Sequence, residues 1–207
     1  MRVELVWATP GGDDLIAKMA RVSNPANQDN KATAPSLIKY LIRKFHWSPF
    51  EMVNACVEIH ATRDIIRQIL RHKSMFFQEF SGRYAEYDDE PEFSEVRLQD
   101  KKNRQNSIES DDKDLNSWWY GVQLHVWDVC YFFYQLALKR GIAKELARKL
   151  LPEGIVPSVL YVNATMRSWI HYWSVRCTQE TQKEHRLVAE ATREVILPLF
   201  PSVQAAL

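Results

Sequence analysis

Residues 53–84 read VNACVEIHATRDIIRQILRHKSMFFQEFSGRY, and the first half of this stretch decides the fold. Val53, Ala55, Val57, Ile59 and Ala61 fall on one side of a strict alternation, with Asn54, Cys56, Glu58 and His60 on the other. A period of two with unlike faces is that of a half-buried strand. Thr62 then has the side chain of an N-cap, and Ile65, Ile66, Ile69 and Leu70 recur as the apolar side of a helix. The helix runs into RHKSMFFQEFSGRY, residues 71–84, a junction dense in polar groups.

Toward the N-terminus, residues 2–8 have strand spacing at Val3, Leu5 and Trp7, ended by Pro10-Gly11-Gly12. Asp13 or Asp14 is placed to cap a short helix through Leu15, Ile16, Met19 and Ala20. Ser36 is placed to cap a second with Leu37, Tyr40, Leu41 and Phe45, which stops before Pro49. Toward the C-terminus, residues 86–113 are polar and charged with few apolar anchors, which predicts an excursion or mobile loop. Asp114 to Arg140 reads as a long helix stopped by Gly141. Its Trp118, Trp119, Trp127, Phe132 and Phe133 lie on more than one face, so it should be buried, against another subunit if not within its own. A short helix, Ala143 to Leu151, an apolar stretch around Ile155 to Val162 and a final helix, Thr181 to Leu197, complete the chain. The reading is one α+β domain over 1–207, with a central, mostly antiparallel sheet and surrounding helices.

A chain of 207 residues, 46% hydrophobic, is long enough to bury a sizeable core. The formal charge of +1 gives no field to gather nucleic acid or an anionic membrane, so any anion site must be built locally. Cys56, Cys130 and Cys177 lack C-x-x-C spacing, which argues for reduced thiols rather than a disulfide framework or zinc site. No apolar run reaches membrane-spanning length and the start lacks the layout of a signal peptide, so the expectation is a soluble, cytoplasmic protein. No G-x-G pair, G-x-S-x-G elbow or H-E-x-x-H is present, which excludes the usual dinucleotide loop, hydrolase elbow and metalloprotease site.

Chemistry concentrates in two places. Gln68, Arg71, His72, Lys73, Gln78, Glu79, Ser81 and Arg83 crowd one helix-to-loop junction. Arg offers permanently charged planar donors to phosphate, Gln can read an imide edge, and Gly82 permits close backbone approach. The same residues also suit a solvated basic face beside a turn. On MRSWIHYWSVR, Arg167 and His171 share a helical face near Trp169 and Arg176, a pattern suited to holding phosphate against planar rings or simply to an exposed cationic helix. RQILRHK and the aromatic content also admit a nucleic-acid-binding module, against which the near-zero charge and the acidic 86–95 segment speak.

RHKSMFFQEFSGRY resembles the signature of flavin-dependent thymidylate synthases: Arg-His-Arg, seven residues, Ser, then Gly-Arg-Tyr. ARVS at 20–23, HWSPFE at 46–51 and RSWIHYWSVRCTQETQKEHR at 167–186 are similar to further family segments in the same order. Three positions depart from the usual pattern: Lys73 for Arg, Met52 for His and Thr165 for Asn.

The resemblance implies a homotetramer whose FAD sites are shared between chains. Ser23, His46, Ser48, Arg71, His72, Lys73, Glu79, Thr165, Arg167 and His171 would contact FAD. Gln68, Arg71, Glu79, Ser81, Gly82, Arg83, Arg148 and Arg176 would surround dUMP, and no metal is implied. The implied reaction is reductive methylation of dUMP to dTMP, with 5,10-methylenetetrahydrofolate as carbon donor and FAD reduced by NADPH as hydride donor. Arg176 is the implied catalytic group, and a dUMP hydroxymethylase is the neighbouring alternative.

Overall fold

The computed structural model describes all residues from 1 to 207. Strand β1 (Arg2–Ala8) leads into helix α1 (Gly12–Ala20), a 3-10 turn at Pro25–Asn27, and helix α2 (Ala34–Arg43). A second 3-10 turn, Ser48–Met52, delivers the chain to strand β2 (Asn54–Thr62) and helix α3 (Arg63–Ile69). Strand β3 (Met75–Glu79) follows, and then the short strands β4 (Arg97–Gln99) and β5 (Ser107–Glu109). The long helix α4 (Lys113–Lys139), the short helix α5 (Lys144–Ala147) with its 3-10 extension, strand β6 (Pro157–Thr165) and helices α6 (Met166–Arg176), α7 (Lys183–Ile196) and α8 (Pro201–Gln204) complete the order.

The main sheet runs β1-β2-β6-β3, every neighbour antiparallel. β2 and β6 pair without a break, from Asn54 opposite Thr165 to Thr62 opposite Pro157. The inner face carries Val57, Ile59, Leu160 and Val162, all essentially inaccessible. Against it pack Ile16, Ile38, Phe50, Trp169, Val188 and Phe200 from the helices and turns. Buried indoles keep their N–H groups bonded, Trp169 Nε1 to the Ala55 carbonyl at 3.1 Å and Trp173 Nε1 to Thr192 Oγ1 at 3.0 Å. A smaller core beneath α4 gathers Tyr87, Trp127, Tyr134, Leu151 and Ile155.

Several expectations are revised. Gly11, not Asp13 or Asp14, takes the N-cap of α1, and the two acids sit in its first turn, where they favour the positive end of the helix dipole. Thr33, not Ser36, stands at the N-cap position of α2, without a side-chain capping bond. Residues 86–113 carry a β4-β5 hairpin tied back by polar contacts. The Ser94 N–H donates to Gln123 Oε1 at 2.9 Å, and Arg97 pairs with Glu184. Helix α4 runs as the periodicity predicts and ends where Gly141 adopts φ 79°, but within one chain only Gln123, Trp127 and Tyr134 of it are buried. Trp118 and Phe132 stay about 60% exposed (61% and 62%), because no other element of the chain lies over that side.

Candidate active site

The α3-to-β3 junction and the C-terminal end of α6 come together, although more than 90 residues separate them. Arg176 Nε donates to His72 Nε2 at 3.0 Å. His72 stacks edge-on against Tyr172, with ring centroids 4.9 Å apart. Burial, then the Arg176 charge and then His171 hold the His72 imidazole down at about 4, so it stays neutral and able to accept at Nε2.

Behind this pair runs a directed chain of hydrogen bonds. The Tyr172 hydroxyl meets His185 Nε2 at 3.1 Å, and His185 Nδ1 meets Gln68 Oε1 at 3.2 Å. Gln68 Nε2 donates to Gln182 Oε1 at 2.8 Å. His185 is fully buried, and burial, then Arg176, then His72 bring its pKa to about 3. A neutral imidazole with its proton on Nδ1 satisfies both contacts, accepting from Tyr172 and donating to Gln68. Burial also raises the Tyr172 phenol, which therefore remains a donor. Gln68, read from the sequence as able to meet an imide edge, is engaged by His185 and Gln182 and keeps one amide N–H to donate.

A second group forms where Thr165 caps α6. Thr165 Oγ1 accepts from the Ser168 N–H and donates to Glu51 Oε2 at 2.9 Å, while Arg167 Nη1 donates to Glu51 Oε1 at 2.6 Å. The turn that supplies Glu51 packs against α1 and α6, and Ser23, His46 and Ser48 are all exposed. His171, Arg71 and Lys73 are likewise exposed.

The third group is the turn after β3. Ser81 carbonyl accepts from the N–H groups of Tyr84 and Ala85, Glu79 Oε1 lies 3.6 Å from Arg63 Nε, and Arg83 Nε lies 3.4 Å from Glu145. Gly82 is buried for a reason the sequence did not reveal: a Cβ there would meet the Tyr87 ring at 2.4 Å. Half-buried Arg148 contributes to the electrostatic surroundings of that same ring.

Arg71, Lys73, Arg148, His171 and Arg176 take part in no ion pair. Of these, Arg71, Lys73, Arg148 and Arg176 carry charge with no acidic partner, which suits an anionic ligand. A cavity of about 670 Å³ between α3, α4, α7 and residues 92–97 is lined by none of the residues expected to hold FAD or dUMP. No group of three or more His, Cys, Asp or Glu that could hold a metal ion is present, and no helix is long and apolar enough to cross a membrane.

Glu51, His185 and Gln182 are site residues that the reading by residue did not single out, and Tyr172, expected only as a flanking planar ring, is the donor to His185. Glu51, His185 and Gln182 fall inside the quoted segments HWSPFE and RSWIHYWSVRCTQETQKEHR, so the signal was present, but the contacts that give them a role are long-range.

An α+β domain with unpaired cations near a half-buried, neutral His72 and a buried, neutral His185 suits a small anionic ligand better than a nucleic acid. The thymidylate synthase complementing protein model matches residues 4–202. A flavin-dependent thymidylate synthase of Synechocystis sp. is 50% identical over 94% of this chain and 89% of its own length. A Paramecium bursaria Chlorella virus 1 protein described as "Probable flavin-dependent thymidylate synthase" is 45% identical over 94% of this chain and 90% of its own. The crystal structure of a UMP/dUMP methylase, PolB from Streptomyces cacaoi bound with 5-Br UMP, superposes with a TM-score of 0.88 at 28% identity, covering 99% of this chain and 92% of that one. The chain belongs to the thymidylate synthase complementing protein family, the family of the flavin-dependent thymidylate synthases.

Proposed function

We propose that the protein methylates dUMP to dTMP as a cytoplasmic homotetramer, using 5,10-methylenetetrahydrofolate as carbon donor and FAD reduced by NADPH. The observation that carries this reading is the Arg176–His72 contact, which joins the family signature at 71–84 to the α6 segment in one site.

The residues present fit a flavin nucleotide. Uncompensated Arg71 and Lys73 offer charge to phosphates, exposed His171 offers a ring donor, and Arg167 is oriented by Glu51. Ser23, His46, Ser48, His72, Glu79 and Thr165 complete the proposed flavin set. Reduced flavin supplies the hydride when bound. Gln68, Arg71, Glu79, Ser81, Gly82, Arg83, Arg148 and Arg176 are proposed to surround dUMP, with Arg83 and Arg148 toward its phosphate. Arg176 directs its remaining N–H donors to the imide edge of uracil and stabilises the negative charge that makes the ring carbon nucleophilic. No cysteine attack is needed.

Two observations support shared sites and a tetramer. Many of the proposed ligand residues, Ser23, His46, Arg71, Lys73, Arg167 and His171 among them, are exposed in one chain, and the exposed side of α4 presents Trp118, Leu124, Val129, Phe132 and Phe133. Aromatic patches of this kind are typical of interfaces.

The test is direct. Purified protein should carry flavin absorbance and convert dUMP, with methylenetetrahydrofolate and NADPH, to a product of dTMP mass. A hydroxymethylated product would assign the neighbouring reaction instead, and a colourless protein without turnover would reject the reading.

A further inference from the structure

Tyr87 belongs to none of the expected flavin or nucleotide residues, yet it lies directly behind the nucleotide turn. It is 3% exposed, and its Oη has no hydrogen-bond partner. The ring is clamped from several sides. Tyr134 Oη accepts from the Tyr87 backbone N–H at 2.9 Å, Phe80 meets the ring edge-on at 5.2 Å, and the Arg63 guanidinium lies 5.8 Å from its centroid. Because α3 and α4 hold the ring, the Ser81–Arg83 turn must adapt to it, and Gly82 does so by lacking a Cβ.

Arg63 Nε is a second buried donor without a partner, and it points toward Glu79 Oε1 at 3.6 Å, beyond hydrogen-bond length. Glu79 is acceptor-only when ionised and is hydrogen-bonded to neither. Arg63 Nε and Tyr87 Oη are thus two orphaned donors on the same side of the turn, with Glu79 near enough to the phenol to help burial raise it, and buried polar groups are otherwise almost always paired.

Resting on the assignment of Glu79, Ser81, Gly82 and Arg83 to dUMP, we propose that Tyr87 is a positioning residue of the nucleotide site. Its ring sets the turn through Gly82, and its hydroxyl, with Arg63 Nε, engages the Glu79 carboxylate when nucleotide draws the turn closed. Burial keeps the phenol protonated and thus a donor.

The experiment compares Tyr87→Phe, Tyr87→Leu and Arg83→Ala in the full-length, flavin-loaded enzyme. It measures the dUMP dissociation constant by equilibrium dialysis, kcat at saturating dUMP, flavin content and Tm. Tyr87→Phe removes only an unpaired hydroxyl, so its Tm and flavin content should match or exceed wild type. Its dUMP dissociation constant should rise about fivefold to tenfold, with kcat changed less than about twofold. Tyr87→Leu should lose Tm as well, with only the Phe variant restoring it. Unchanged dUMP affinity in Tyr87→Phe, with weakened binding in Arg83→Ala, overturns the positioning role and leaves the nucleotide site standing. Unchanged affinity in both variants overturns the nucleotide assignment and the inference together.

Discussion

Arg176 is held by His72: its Nε donates to the ring Nε2 at 3.0 Å, and the imidazole that accepts is kept neutral by its surroundings. A guanidinium fixed through Nε turns its two terminal nitrogens outward as a pair. That is the geometry suited to an imide edge, and an ammonium cannot reproduce it. The relationship also ties two ligand sets together, because His72 comes from the flavin signature and Arg176 from the nucleotide segment.

The neutrality of His72 and His185 predicts an acid-side loss of stability. Both are held below the ordinary histidine value, at about 4 and about 3, mainly by burial. Below about pH 6.5 the unfolded chain binds protons that the folded chain refuses, so stability rises with pH across this window and falls as pH drops through it. Thermal melts should show Tm decreasing from pH 6.5 to 4, and His185→Gln, which removes one of the two groups, should flatten the profile. An unaltered slope in that variant would show that other groups carry the dependence.

How far the sequence foretold this architecture depended on where the information lay. Strand β2 was legible because its two faces differ in polarity at every step, and α7 because its apolar stripe persists over fourteen residues. Strand β3 was not, since Met75-Phe76-Phe77-Gln78-Glu79 shows no alternation and reads as part of a loop. The β4-β5 hairpin was invisible for a different reason: it is anchored by Arg97–Glu184 and Lys183–Glu95, ion pairs spanning more than 80 residues, rather than by apolar burial. The site followed the same division. The signature marked Arg71, His72 and Ser81 as ligands, but that Glu51 holds Arg167 and that Gln68 is engaged by His185 are tertiary facts.

Lys73 stands at a position proposed for a flavin phosphate, is exposed and has no acidic partner. Lys73→Arg restores a two-pronged donor without breaking any contact of the chain, so flavin should bind equally or more tightly. Flavin titration of the apo-protein measures it, and weakening of about tenfold or more would place Lys73 elsewhere.

The thiols are poor nucleophile candidates. Cys56 and Cys177 are pushed up by burial, away from the reactive thiolate, and Cys130 lies on α4. A Cys56→Ala, Cys130→Ser, Cys177→Ala triple variant should keep measurable turnover. Complete inactivity in a folded, flavin-loaded preparation would point to covalent catalysis through sulfur.

Helix α4 supplies a test of the shared sites. Phe132→Asp with Phe133→Asp places charge on a surface that is more than half exposed in one chain, so the isolated fold should tolerate it. If the surface is an interface, light scattering should show dissociation and the flavin absorbance should fall with it. Retention of both assembly and flavin would remove α4 from the interface.

Arg176→Ala is the sharpest prediction, because His72 makes the role of Arg176 separable from that of the flavin residues. A charge-assisted hydrogen bond is worth about 1.5–3 kcal/mol, so loss of the guanidinium should slow the dUMP-dependent step by about 10- to 150-fold. Flavin content should change little, since Arg71, Lys73 and the Glu51-anchored Arg167 remain. Arg176→Lys should rescue poorly, keeping charge without the paired donors and losing the Nε contact to His72. His72→Ala should fall between wild type and Arg176→Ala, because the guanidinium stays but is no longer held. The measurement is tritium release from dUMP labelled at the reacting ring carbon, alongside flavin absorbance. Wild-type release from Arg176→Ala would transfer the activating role to Arg83 or Arg148, the remaining guanidinium groups assigned to the nucleotide alone.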